Sequence, residues 1–413
     1  MKKSKLTLFI FLAMLLGIAT GYFYNQHITD SNGVIDKDAA KSFSDNITIM
    51  SDIFLRLIKM IIVPLVFSTL VVGVAKLGDI KTVGRIGGKT LLWFLFATLI
   101  SLSLGMLLVN LFEPGMNMNL PLPEAGSDTG VNAGALNFKD FISHIFPKEF
   151  FIAIGHYEIL PVIVISVFTG LACASMPEKS EPVVKFLDAV GHIMLKIVSY
   201  IMLLAPFAVF ASLSAVIATK GIGIMQTYLA LILEFYGGLL ILWTILFLFG
   251  FVAVRKRIIT LFRNISDAIL LAFGTASSET AYPKLMTELE RFGCSNKVTS
   301  FVLPLGYSFN LDGSMMYMTF GSLFIAQCYH IHLSLGEQIT MLLTLMITSK
   351  GIAGVPRAAI VVISGVLTTF HIPAEGILLL MGIDQILDMG RSATNVVGNA
   401  VATVVVSKWE KQI

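Results

Sequence analysis

The chain predicts an all-α integral membrane fold, with eight transmembrane helices plus two opposed re-entrant helical hairpins. Three observations carry that prediction. The first is composition: of 413 residues, 56% are hydrophobic and only 13% are charged, against about 25% charged in a soluble domain. Mean hydropathy is +0.84. The second is run length. The apolar stretches extend over roughly 20 to 30 residues, enough for a helix to cross a hydrocarbon core about 30 Å thick. They lack the alternating polarity of β-barrel strands. The third is the parity of the charged loops, every one of which eight spans plus two opposed hairpins satisfy.

Eight apolar segments read as spans or parts of spans: about 6–25, 47–75, 88–113, 151–175, 184–218, 225–254, 296–328 and 373–406. The first follows Met-Lys-Lys-Ser-Lys. It lacks a clear small-x-small cleavage site and is read as a retained helix rather than a signal peptide. Pro64 and Pro206 are expected to kink or end helical segments. Glu234 in the sixth span reads as a structural partner rather than a ligand.

Lys2, Lys3 and Lys5 precede the first span, and Lys76, Lys81, Arg85 and Lys89 surround the second loop. Arg255, Lys256, Arg257 and Arg263 follow the sixth span, and Lys408 and Lys411 close the chain. The alternate loops, 26–45 and 114–148, hold more acids than bases. The positive-inside rule therefore places both termini in the cytoplasm. Residues 258–293 are entered and left through basic flanks, so they go in and come back from inside. By the same parity, 334–370 does so from outside.

The last span carries the clearest chemistry. Asp384, Asp388, Arg391, Asn395 and Asn399 recur every three or four residues. At about 100° per residue they share a wedge roughly 80° wide. Charges at bilayer depth cost several kcal/mol unless they face protein, water or a polar ligand. Three further segments are broken: at Gly274-Thr275-Ala276-Ser277-Ser278-Glu279-Thr280, at Asn310-Leu311-Asp312-Gly313-Ser314, and at Gly351-Ile352-Ala353-Gly354-Val355-Pro356. Irregular backbone at membrane depth is tolerated where it is buried in protein or lines a cavity. Opposed discontinuous helices point to a transporter site near the midplane. In the first break the serines and Thr280 are expected to cap the returning half-helix. Glu279 favours that N-terminus or carries a proton. Asp312 needs a cation, a proton or an ionic partner.

The chain offers no nucleophile–base pair, metal motif or nucleotide loop, so no enzyme is expected. Cys173, Cys294 and Cys328 lie far apart without metal or disulfide spacing. The net charge of +3 marks no nucleic-acid partner, because the basic residues sit at membrane edges. The lipid bilayer is the expected surroundings, and no cofactor is expected.

Taken in order, Ser277-Ser278-Glu279, Asn310-Leu311-Asp312-Gly313-Ser314, Gly351 to Pro356 and Asp388-Met389-Gly390-Arg391-Ser392-Ala393-Thr394-Asn395 resemble the dicarboxylate/amino-acid:cation symporter family, the glutamate transporter family. Within it the chain looks most like bacterial proton-coupled glutamate/aspartate carriers of the inner membrane. The resemblance implies a homotrimer working by an elevator motion. It implies a scaffold of residues 1–82 and 150–220 (spans one, two, four and five). It also implies a transport domain of 83–149 and 221–413 (spans three, six, seven and eight with both hairpins), with 114–149 a long external loop.

Carried over by position, Arg391 would bind the distal carboxylate of the substrate. Guanidinium–carboxylate pairing makes chemical sense of that role; the alternative is that Arg391 only neutralises Asp388 or Asp384. Asp388 would bind the α-amino group, with Ser392 and Asn395 beside the substrate. Ser277, Ser278, Gly354 and Val355 would contribute from the hairpin tips, and Ser314 would line the site.

Where sodium-coupled members place an acid that helps hold the ion, this chain has Asn399, and Phe94, Ala97 and Thr98 stand where a tyrosine and two hydroxyls are usual. Hard cations prefer oxygen ligands. Proton coupling is therefore expected over sodium coupling. A residual sodium site of backbone carbonyls near Asn310, Asp312 and Asn395 stays open. Glu279, Asp312, Asp384 and Asp388 are the acids available as proton carriers. The alternatives are a sodium-coupled acidic amino acid symporter, or a proton-coupled carrier of four-carbon dicarboxylates. Arg357 either senses closure of the second hairpin or reaches lipid headgroups.

Overall fold

Long runs of Leu, Ile, Val and Phe have nowhere to bury themselves in a chain this apolar except against each other or against lipid. They do both as helices, which satisfy their own backbone groups. The computed structural model describes residues 3–30, 35–77, 80–117, 122–123, 159–221, 228–349, 358–381 and 383–413. Among them the secondary structure is helical, apart from an isolated bridge between Thr29 and Ile35.

The helices are α1 (Lys3–Ile28), α2 (Lys37–Ile47), α3 (Ile49–Leu77), α4 (Ile80–Phe112), α5 (Pro114–Asn117), α6 (Ile159–Ser175), α7 (Pro177–Ile201) and α8 (Ala205–Lys220). They continue with α9 (Leu229–Val254), α10 (Arg257–Thr275), α11 (Tyr282–Phe292), α12 (Asn296–Phe309), α13 (Asp312–Cys328), α14 (Leu335–Thr348), α15 (Ala358–Thr369), α16 (Ile377–Met381) and α17 (Asp384–Trp409). Among the described residues, five helical stretches are long and apolar enough to cross a membrane: 8–28, 81–112, 177–220, 229–254 and 257–275.

Two expected spans differ from what was read. The stretch 184–218 is two helices, α7 and α8, joined by a 3-10 turn at Met202–Leu204. Pro206 starts α8, where its missing N–H costs nothing. Pro64, by contrast, lies inside α3 without ending it. The last span, 373–406, is also divided, with α16 ending at Met381 and α17 starting at Asp384. The breaks expected after Thr275 and at Asn310-Leu311 fall where α10 and α12 end.

Packing gathers into two sets, which meet where α3 packs on α12 and where α1 and α8 touch α10. α1 lies along α8, and α3 packs on α6, α7 and α8. Gly17 and Gly21 allow the α1–α8 approach: a Cβ on either would come within 2.7 Å of a backbone oxygen, of Phe210 and Ser214 respectively. This is how small residues four apart draw helices together where lipid supplies no hydrophobic drive. Ser214 Oγ donates to Gly17 O at 3.1 Å, and Asn25 Nδ2 donates to Ala218 O at 2.8 Å.

The second set centres on α17, which packs against α9, α10, α12 and α13, while α13 lies along α4. α10 and α11 pack together as a helical hairpin, tied by Lys284, whose Nζ lies 3.7 Å from Asp267 and 3.5 Å from Glu288. Away from these interfaces the apolar surface is open: Val252 of α9 is 73% exposed, whereas Leu242 of the same helix is fully buried. Open apolar area on this scale is covered by lipid.

Candidate functional site

The site is assembled around α17. Two aromatic residues of α9 set that helix in place. Tyr236 donates from its hydroxyl to Ile386 O at 2.6 Å, and Trp243 Nε1 donates to Thr394 Oγ1 at 2.8 Å. Arg391, 2% exposed, then points among groups of opposite sign. Its Nη2 lies 3.0 Å from Asp384 Oδ1 and 3.0 Å from Asp388 Oδ1. The guanidinium stacks on Tyr317 of α13, 4.0 Å from the ring centroid, a favourable arrangement for a desolvated cation. Tyr317 also donates to Asp384 Oδ1 at 3.1 Å.

The two acids are not equivalent. Asp384 is held by Arg391 and Tyr317 and is nearly enclosed, while the Asp388 side chain is 31% exposed. One guanidinium nitrogen serves both. Arg391 Nε and Nη1 are buried and have no hydrogen-bond partner. Buried N–H groups are nearly always satisfied in native structures, so two free donors beside a half-open acid suit a ligand bearing a carboxylate.

One turn further along α17, the helix breaks meet it. The N-terminus of α13 has the apolar Leu311 at its cap position and no side-chain cap of its own. Asn395 supplies one from α17: its Oδ1 accepts from Gly313 N at 2.9 Å and Ser314 N at 3.3 Å, and its Nδ2 donates to Ser314 Oγ at 3.2 Å. Ser392 is buried beside them.

Deeper still, Asn310, Asp312 and Asn399 are at most 1% exposed. Asn310 Nδ2 donates to Asp312 Oδ2 at 2.9 Å and lies 3.4 Å from Asn399 Oδ1, while Ser101 of α4 donates to Asp312 Oδ1 at 3.3 Å. The Asp312 carboxylate fills the space that a Cβ on residue 398 would need, so glycine is required there. Asn310 Oδ1 has no hydrogen-bond partner. A carboxylate with a neighbouring free amide oxygen is a donor set that fits a hard cation or a proton. Phe94 and Ala97 are buried on the same helix as Ser101 and supply no oxygen.

The α10–α11 turn departs from one expectation. Ser277 sits at the cap position before the 3-10 turn Ser278–Ala281 but makes no side-chain cap bond. Instead Thr280 Oγ1 donates to Ser277 O at 2.8 Å and lies 3.0 Å from Thr275 Oγ1. Pro283 at the start of α11 removes one donor that would have needed capping. Ala276 closes α10 in the left-handed region, φ 48°. Ser278 and Glu279 follow on this turn, which packs against both α17 and α3. Gly354, Val355 and Arg357 lie outside the described residues, as do most of 114–149.

Sequence reasoning missed Tyr317, Ser101, Tyr236 and Trp243. Tyr317 and Ser101 carried a signal: each is a hydrogen-bonding residue inside an apolar run, and Ser101 follows Ala97 by one turn.

A family model described as the sodium:dicarboxylate symporter family matches residues 6–409. The chain belongs to that family. This bears out the resemblance carried by the four motifs. Members of the sodium:dicarboxylate symporter family are transporters rather than enzymes, and this one is a multi-pass membrane protein. The chain is 40% identical to a proton/sodium-glutamate symport protein of Bacillus caldotenax, over 100% of its own length and 96% of the relative's. It is 38% identical to the proton/glutamate-aspartate symporter of Escherichia coli (strain K12), over 97% and 92%. It is 37% identical to a C4-dicarboxylate transport protein of Bacillus subtilis (strain 168), over 88% and 87%.

Proposed function

We propose that this family member is a secondary active symporter importing L-glutamate and/or L-aspartate across a bacterial plasma membrane, with proton coupling. The observation that carries the reading is Arg391: a buried guanidinium with Nε and Nη1 uncommitted, 3.0 Å from the half-exposed Asp388. The distal carboxylate of an acidic amino acid takes the free donors of Arg391, and its α-amino group takes Asp388. Substrate thus replaces part of an ion pair that already exists, so the two charges stay compensated before and after binding. Ser392, Asn395, Ser314 and the two hairpin tips, with Ser277, Ser278, Gly354 and Val355, surround the ligand.

The names of the relatives support acidic amino acids as the substrate class. Asn399 in place of an acid, and Phe94 and Ala97 on α4, favour protons over sodium. The oxygen of Ser101 on Asp312 and the free Asn310 Oδ1 keep a sodium site near Asn310, Asp312 and Asn395 as the competing arrangement.

The finer architecture belongs to the same proposal. It has eight spans plus two opposed re-entrant hairpins, both termini in the cytoplasm, and a homotrimer held by residues 1–82 and 150–220. An elevator carries residues 83–149 and 221–413. The close packing of α1 on α8 and of α3 on α6 and α7 supports that division, with α3 meeting the second set through α12. α10 is long enough to cross on length alone; the basic residues at both ends of the α10–α11 hairpin favour re-entry.

The test is uptake of labelled aspartate by purified protein in liposomes, with sodium and pH gradients imposed separately. A pH gradient alone should drive accumulation; uptake that needs sodium and ignores pH refutes the coupling. A second reading, a carrier of four-carbon dicarboxylates, is favoured by the Bacillus subtilis relative. Such substrates have no amino group for Asp388. Excess succinate should therefore compete poorly with aspartate, and strong competition favours the second reading.

A further inference from the structure

Two glycines form notches where the two packing sets meet. On α3, Gly73 has no side chain, and Ser300 of α12 fills the place a Cβ would take. That Cβ would clash with Ser300 Oγ and lie 3.4 Å from Ser300 Cβ. On α10, Gly274 receives Val209 of α8. A Cβ there would lie 2.7 and 2.8 Å from the two Val209 γ-carbons and 3.3 Å from Val209 Cβ. All four residues are buried. The pairs run in opposite senses: the proposed scaffold carries the notch at Gly73 and the knob at Val209, and the proposed transport domain carries the knob at Ser300 and the notch at Gly274.

Neither knob turns aside easily. Val209 is branched at Cβ, which leaves one strongly preferred χ1 in a helix. Ser300 Oγ donates to Asn296 O at 2.6 Å, one turn earlier on α12. That bond stays within α12, so Ser300 leaves its notch without giving up a hydrogen bond. Each pair is therefore held by shape, and parting it costs van der Waals contact rather than a polar interaction.

Close-packed interfaces hold discrete arrangements instead of deforming continuously. A side chain seated in a glycine notch must be lifted out before one helix travels along the other. This rests on the elevator reading. We propose that Ser300 in the Gly73 notch and Val209 in the Gly274 notch are detents, which hold the transport domain at one stop of its travel and disengage together when substrate crosses. The four residues position the moving domain and touch no substrate.

The experiment traps the pairs and then weakens one, in a background with Cys173, Cys294 and Cys328 replaced by alanine. Gly73→Cys/Ser300→Cys puts two Cβ atoms 3.4 Å apart, near the roughly 3.5 to 4.5 Å of a disulfide. Oxidation should form the bond and stop exchange of labelled aspartate across liposomes, while aspartate binding in detergent persists; reduction should restore exchange. No disulfide at this pair, or loss of binding when it forms, overturns the proposal. Normal exchange by fully crosslinked protein overturns the elevator division, and the proposal with it. The rate of disulfide formation in Val209→Cys/Gly274→Cys then reports how often the domain rests at this stop. Adding Gly73→Ala should slow that rate severalfold, because the new methyl meets Ser300 Oγ. Adding Ser300→Ala as well removes the oxygen and should bring the rate back. A disturbance confined to Gly73 would not move the other pair. A rate unchanged by Gly73→Ala, or slowed and not recovered by Ser300→Ala, overturns the detents and leaves the elevator reading to stand on the first crosslink.

Discussion

The two halves of α17 handle buried polarity in opposite ways. The N-terminal half holds three full charges, Asp384, Asp388 and Arg391, paired within the helix and stacked on Tyr317. The C-terminal half holds the amides of Asn395 and Asn399, which reach across to the break between α12 and α13. A charge pair is costly to break and poorly satisfied when one partner is shared, so it responds to a charged ligand. An amide satisfies backbone and carboxylate together at little electrostatic cost, so it shapes a site without committing charge to it. In the proposed reading the first half grips the charged ends of the substrate, while the second half shapes the site beside it and borders the Asn310–Asp312 cluster.

The largest effect should follow from breaking the charged half. Arg391→Ala leaves the buried Asp384 without its cation and removes the partner of the half-exposed Asp388; removing one partner of a buried pair costs about 3 to 5 kcal/mol. Binding of aspartate, measured by calorimetry in detergent, should vanish. Arg391→Lys keeps the charge but loses the fork geometry, and it should fold with weakened binding. Aspartate binding unchanged in both variants would remove the guanidinium from the site. The comparison sharpens in the other half with Asn399→Asp. A second carboxylate then lies beside Asn310 and Asp312, and a bound cation should offset the repulsion. Sodium should raise the Tm of this variant, by the equivalent of about 2.7 kcal/mol at a hundred times Kd, and uptake should acquire sodium dependence. No sodium response in Tm would place the cation elsewhere.

The charged half was the more legible of the two. A stripe at helical spacing announces itself in an apolar stretch, and three-residue spacing alone puts Arg391 and Asp388 on one helix face. The breaks at Thr275 and Asn310 were legible for the same reason, because small and polar residues interrupt a run that has no other cause to stop. The partner of each group was not legible. Nothing local links Asn395 to the α13 N-terminus 81 residues earlier, or Ser101 to Asp312 211 residues later. Ser277 misled, because its type suits a cap, but the chain turns so that Thr280 bonds to the Ser277 carbonyl instead. The division of α7 from α8 was hidden because Pro206 at a helix start and Pro64 inside a helix look alike in sequence.

A smaller effect tests the capping role of the second half. Asn395→Ala leaves the Gly313 and Ser314 N–H groups without their acceptor, a change that typically costs about 1 kcal/mol at a helix N-cap. Asn395→Asp keeps the acceptor and should restore most of that stability in thermal unfolding. A substrate contact alone would lower binding in both variants without moving Tm.

The smallest effect lies just past the end of α17, where charge pairing returns outside the apolar stretch. Lys89 Nζ is 2.6 Å and Arg85 Nη2 2.9 Å from the Glu410 carboxylate, which tie α4 to the α17 terminus. Burial by itself raises the proton affinity of Glu410, but hydrogen bonds and charge from Arg85 and Lys89 outweigh it and hold the group below the ordinary glutamate range. A carboxylate depressed on folding stabilises the fold above its unfolded pKa, about 4.3. That contribution is lost as pH falls through the lower folded value. Arg85 is 54% exposed, so the gain is of the surface kind, about 0.2 to 1 kcal/mol. Glu410→Gln should therefore lower Tm slightly at neutral pH and at low salt. The gap to wild type should close as the solution is taken below the ordinary glutamate range. A gap that widens in acid would mean that the carboxyl stabilises more when protonated than when ionised, against an ion pair with Arg85 and Lys89.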